Sequence, residues 1–160
     1  MVGLMNNNGV VPTPIPFTWV GEEHTVVIEA TYDQKTGLTE SFTGGTVKIY
    51  TDVGPATAGD YANQATFSDF TLVLSGVITD FIRVVFGSSS TFGGEVEWTG
   101  GSRLAELGAN TTNFGMGGSG STLSSNIPAG YELCWDGKID EPEPVAVNKA
   151  TWGQVKSLFN

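Results

Sequence analysis

Hydrophobic and polar side chains alternate through the middle of the chain with the two-residue period of a strand that buries one face. In residues 24–32, Val26, Ile28, Ala30 and Tyr32 share one face, and Glu29 and Thr31 share the other. Residues 46–51 set Val47 and Ile49 against Lys48 and Tyr50. A third run aligns Phe70, Leu72 and Leu74 and stops at a turn signal, Ser75-Gly76. Residues 77–86 are apolar almost throughout, which predicts a central strand covered on both faces. Val96 with Trp98, and Leu133 with Trp135, mark two further strands whose opposite faces carry carboxylates. Short strands with Gly-rich breaks predict an all-β fold, an antiparallel β-sandwich or jelly roll.

The flanks read differently. An extended Pro-rich arm occupies residues 1–20, the sandwich domain residues 21–140, and a Pro/Glu spacer with a short helical tail residues 141–160. In the arm, Pro12, Pro14 and Pro16 alternate, so in an extended chain the three missing N–H donors lie on one edge. Thr13, Ile15 and Phe17 keep the other edge for hydrogen bonding, and their side chains share a face with Val11 and Trp19. The segment is suited to add as a strand to its own body or to a neighbouring subunit, with these five residues at the interface; a polyproline-II linker is the alternative. In the tail, Thr151 and Gln154 fit a capping box, and Trp152, Val155 and Phe159 fall on one helical face. Residues 103–108 fit one helical turn, and residues 108–130 read as a long, mobile, Gly/Ser/Asn-rich excursion.

Composition narrows the function. Seventeen acidic residues against seven basic ones give a formal charge of −10, which repels phosphate backbones and anionic headgroups. Nucleic acid and membrane insertion are therefore not expected as partners. No run approaches the roughly 20 apolar residues of a membrane span, and Met1 to Met5 is too short and uncharged for a signal peptide. Cys134 is the only cysteine, which excludes an internal disulfide and reads as an inert buried thiol.

Catalytic signatures are weak. Gly115-Met116-Gly117-Gly118-Ser119-Gly120 matches a dinucleotide-binding string but lacks the helix that would hold the pyrophosphate, so it reads as a flexible loop. His24, the only histidine, reads as a solvated residue at the start of a strand. Glu95 and Glu97 read as charges on a solvated face. The chain is accordingly expected not to be an enzyme and to need no cofactor. The one metal considered is Ca²⁺, with Asp52, Asp60 and Asp69 as oxygen donors around an acidic loop. Tyr50 and Tyr61 stand beside that loop as candidate exposed rings for a glycan.

Residues 45–52 (Gly-Thr-Val-Lys-Ile-Tyr-Thr-Asp), 65–69, 72–76 and 130–138 resemble bacterial secreted PEP-CTERM-type surface proteins. In that group a Pro-Glu-Pro element precedes a membrane helix and an arginine cluster; here Pro142-Glu143-Pro144 is followed by a polar tail. The resemblance implies an extracellular or cell-surface, non-enzymatic protein. The expectation is a structural subunit that self-associates into a surface or filament-type assembly, with a carbohydrate-binding or adhesive module as the alternative.

Overall fold

The structure, a computed structural model, describes residues 2–5, 22–53, 59–123, 125 and 127–142. These form one antiparallel sheet of seven strands: β1 (Val2–Met5), β2 (Glu22–Thr36), β3 (Thr39–Val53), β4 (Thr71–Phe86), β5 (Ser89–Gly100), β6 (Phe114–Ser121) and β7 (Cys134–Asp140). Strand order in space equals order in sequence, so every strand pairs with its chain neighbours. The fold is all-β as expected, but the two stacked sheets of a sandwich or jelly roll are replaced by a single sheet. Local connections explain the meander. Thr36 pairs with Thr39 across Gly37-Leu38, and Phe86 with Ser89 across Gly87-Ser88. Gly37 (φ 62°) and Gly87 (φ 63°) supply the left-handed conformation at the first position of each two-residue turn.

Three strands are longer than their hydrophobic runs suggest. Ser75-Gly76 is no turn: β4 runs through it for 16 residues. A Cβ on Gly76 would sit 2.6 Å from the Glu97 carbonyl oxygen and 3.1 Å from the Trp98 ring, so glycine is there to let Trp98 pack across the strand. β2 and β3 each span 15 residues. Strands this long bend at bulges. Between Thr79 and Ile82 β4 carries one residue more than its partner β5, and Asp80 takes a left-handed φ of 52°. The extra residue turns Phe81, rather than Asp80, to the inner face.

The sheet curls around that inner face. Ile28 and Ala30 of β2 and Trp135 of β7 line one cleft, although four strands separate β2 from β7 in the sheet. The core is built from alternate residues: Ile28, Val47, Ile49, Ile78, Val96, Trp98, Phe114, Met116 and Ile139 are all buried. Beyond β5 the chain reverses at Gly101 (φ 110°), where any side chain would collide with the backbone of Val73 and Leu74. Ser102 and Arg103 then donate their N–H groups to the carbonyls of Leu72 and Val73. This seats a 3₁₀ turn, Leu104–Leu107, with Leu107 in the core, which matches the helical turn expected there. A second 3₁₀ turn, Gln64–Phe67, buries Phe67 completely, and the Thr25 hydroxyl donates to the Phe67 carbonyl at 2.8 Å.

Two expectations about coverage change. The excursion over residues 108–130 contains β6, so the glycine string is a paired strand and not a flexible loop. The expectation that β4 is covered on both faces also fails: it is central, yet Val77 and Ile82 are each 42% exposed and Phe86 55%. The helical tail and arm residues 11–19 lie outside the described residues. Residues 2–5, assigned to the arm by composition, are β1, with Met5 beside His24.

Candidate functional site

The sheet offers three features for binding: its edges, a cleft on the inner face and a trough on the outer face. β1 covers the outer edge of β2 only from His24 to Val27. Among the described residues, 29–36 of β2 and the whole of β7 pair on one side only. Unpaired N–H and C=O groups on such an edge accept a further strand. The β7 edge is short, carries a Lys138–Asp140 ion pair at 2.6 Å and is soon followed by Pro142, all of which discourage pairing. The β2 edge is longer and holds an exposed Tyr32.

The inner cleft, of about 130 Å³, is lined by Ile28, Ala30, Phe42, Phe81 and Trp135. Its walls are tied by ring contacts: Trp135 stacks on Phe92 with centroids 4.4 Å apart, and Phe81 lies 5.0 Å from Phe42 and 5.9 Å from Trp135. Glycines make this possible. A Cβ on Gly120 would meet the Trp135 indole at 2.6 Å, and one on Gly118 or Gly137 would meet the Phe92 ring at 2.8 or 2.6 Å. At the neighbouring pair in the register, Glu40 accepts from Arg83 Nε at 2.9 Å and from Nη2 at 2.6 Å, with Lys35 Nζ 3.3 Å from its other oxygen. None of the five lining side chains titrates, so the cleft itself supplies no acid, base or nucleophile.

The outer trough, of about 400 Å³, runs across β5, β6 and β7 beside Phe86. Its floor is two rows of paired small residues, Thr91–Ser119–Asp136 and Ser89–Ser121–Cys134. Cys134 is half-buried there, not sealed in the core.

The residues singled out from sequence do not converge. Asp60 turns its Oδ1 onto the Ala62 N–H at 2.8 Å and closes a tight turn, Asp69 is exposed on the approach to β4, and Asp52 is in β3 opposite Glu23. Among the described residues no three His, Cys, Asp or Glu side chains are grouped to hold a metal. Tyr50 is half-buried, and Tyr61 packs between Phe67 (5.0 Å) and Tyr131 (5.7 Å). His24 is 1% exposed and not solvated, because it sits inside the sheet between Met5 and Thr51. Glu95 and Glu97 are exposed opposite buried Val96 and Trp98, as expected, and Trp135 is half-buried where it lines the cleft. Sequence reasoning missed Ile82, Phe86 and the Arg83–Glu40 pair. The two-residue turns Gly37-Leu38 and Gly87-Ser88, which fix the register of these residues, were signals for them.

No protein-family model matches the chain, and no curated protein or solved structure shows significant similarity to it. No helix among the described residues is long and apolar enough to cross a membrane.

Proposed function

We propose that this protein is a non-enzymatic structural subunit of an extracellular or cell-surface assembly, and that subunits join by strand addition. The observation that carries the reading is the edge of β2 over residues 29–36, which among the described residues pairs only with β3. It is eight residues long, enough for nearly all of arm residues 11–19. The arm offers one hydrogen-bonding edge and one proline-blocked edge, so it extends a sheet by one strand on the acceptor side. Chain length directs it to a neighbour. Trp19 is three residues from Glu22, a link reaching about 10 Å. Even in the antiparallel orientation, Trp19 beside Glu29 would be about 23 Å from Glu22. A subunit therefore donates its arm to another copy, and repetition of that contact builds a chain of subunits. The surface location rests on the resemblance of residues 45–138 to secreted surface proteins.

The test is light scattering with negative-stain microscopy on the full chain, and on a variant in which residues 11–19 become a Gly/Ser segment of equal length. Polymers or large oligomers are expected from the first and monomers with unchanged sheet circular dichroism from the second. A monomeric full chain, or undiminished assembly in the variant, rejects the mechanism.

A further inference from the structure

Val77, Ile82 and Phe86 are three of the six large hydrophobic side chains that stand exposed among the described residues, and all three lie on the outer face of β4. Half-buried Val84 completes a column of Ile82, Val84 and Phe86. The column borders the trough of about 400 Å³, whose far bank is Asp136. An apolar column flanked by a groove of small residues is a receptacle for bulky side chains.

We propose that residues 151–159 of the same chain cover this face, with Trp152, Val155 and Phe159 packed on Ile82, Val84 and Phe86 and in the adjoining trough. The tail leaves the sheet at the right place. Asp140, the last residue of β7, pairs with Gly115, which pairs with Glu95 and so with Thr79 of β4, one turn of the bulge before Ile82. From there the trough begins about 13 Å back along β7 at Asp136. Residues 141–150 extend to about 33 Å. The dimensions agree: Trp152 to Phe159 spans about 10 Å as a helix, and Ile82 to Phe86 spans about 13 Å as a strand.

Charge selects this occupant over the arm. Residues 144–160 contain Lys149 and Lys156 and no Asp or Glu, whereas residues 6–21 contain no charge of either sign. The outer face carries exposed Glu95, Glu97 and Asp136. Its cation Lys138 is already paired with Asp140 at 2.6 Å, and Lys48 lies 3.7 Å from Glu29. A tail bearing only lysines is drawn to this surface and enters with its apolar side down.

Hydrogen–deuterium exchange on the full-length protein tests the proposal. Amides of residues 152–159 should exchange at least tenfold more slowly than an unstructured peptide of that sequence, and equally slowly after tenfold dilution. Ile82→Ser with Phe86→Ser should abolish that protection while amides of β3 to β5 keep theirs. Trp152→Ser with Phe159→Ser, which leaves the sheet untouched, should do the same and should speed tryptic cleavage after Lys156. Three results overturn the proposal: no protection in the unaltered chain, protection insensitive to both variants, or loss of protection on dilution, which would make the occupant a second copy. Protection that Ile82→Ser with Phe86→Ser removes from residues 11–19 instead would assign the face to the arm. The loss of tail protection in either double variant is read on the same chain whether or not the protein polymerises.

Discussion

The two ends of β4 are built on different principles. Near its start, Val73, Leu74, Gly76 and Ile78 are buried, and the 3₁₀ turn after Gly101 seats Leu107 in the same core. Toward its end, the strand alternates an inward Arg83, paired with Glu40, with outward Ile82 and Phe86 that water still reaches. The first end is held by close packing, which tolerates no missing volume. The second is held by a hairpin, an ion pair and aromatic stacking over glycines, and it leaves apolar side chains on the outer face of the sheet. Dense packing and exposed apolar surface are thus separated along one strand.

Trp98→Ala breaks the first end. Trp98 is 2% exposed and meets Phe114 edge-on with centroids 6.0 Å apart, so the substitution empties the centre of the packed region. The expected loss is about 3–5 kcal/mol, a large part of the roughly 5–15 kcal/mol available to a domain. Urea unfolding followed by far-ultraviolet circular dichroism checks it. A loss no greater than that of Phe86→Ala, at a side chain that stands 55% exposed on the sheet, would erase the distinction between the two ends.

Glu40→Gln probes the second end with a smaller effect. The Glu40 and Arg83 side chains are 12% and 26% exposed, between the free surface and the interior. Losing the charge on Glu40 leaves Arg83 and Lys35 with a neutral acceptor, at a cost of roughly 1–2 kcal/mol, between the ranges for exposed and buried pairs. The same urea experiment, repeated in high salt, should show the difference shrink only modestly, because the pair is partly shielded from the ions. A neutral result would mean that the aromatic stack alone orders this end.

The same division decided what the sequence could reveal. Alternation in residues 26–30, 46–51 and 95–98 marked the inner face correctly, because one buried face imposes a period of two wherever it occurs, whereas Tyr32, counted with that face, is 54% exposed. Alternation identifies a face and not what lies against it, so one curled sheet and two stacked sheets predict the same pattern. Glycine misled twice for one reason. Gly76 and the glycines of β6 resemble turn and loop residues, but here they make room for Trp98, Phe92 and Trp135. Those rings come from other strands, and no local window contains both partners. The apolar run 77–86 was equally ambiguous, since exposed Ile82 and Phe86 are chemically the same as covered ones. The Asp60 turn was visible as a cluster of turn-forming residues, but its carboxylate serves its own backbone.

Between the packed core and open solvent, the 3₁₀ turn that helps close the core gives the smallest and most specific effect. Arg103 donates from Nε to one oxygen of Glu106 and from Nη2 to the other, each at 2.8 Å. That hydrogen bonding, with the guanidinium charge, holds the Glu106 carboxyl below its ordinary value of 4.5. A carboxyl whose folded pKa is depressed stabilises the fold above the unfolded value and loses that contribution as pH falls through the folded one. Glu106→Gln should therefore lower the thermal midpoint slightly at pH 7 and leave it equal to that of the unaltered protein once the pH lies well below 4.5. The pair is solvent-exposed, so the difference lies near the limit of calorimetric detection. Arg103→Gln isolates it: in that background the Glu106 substitution should make no difference at either pH. A Glu106→Gln effect that persists in acid would come from packing of the turn and not from its charge, and would place this turn with the tightly packed end of β4.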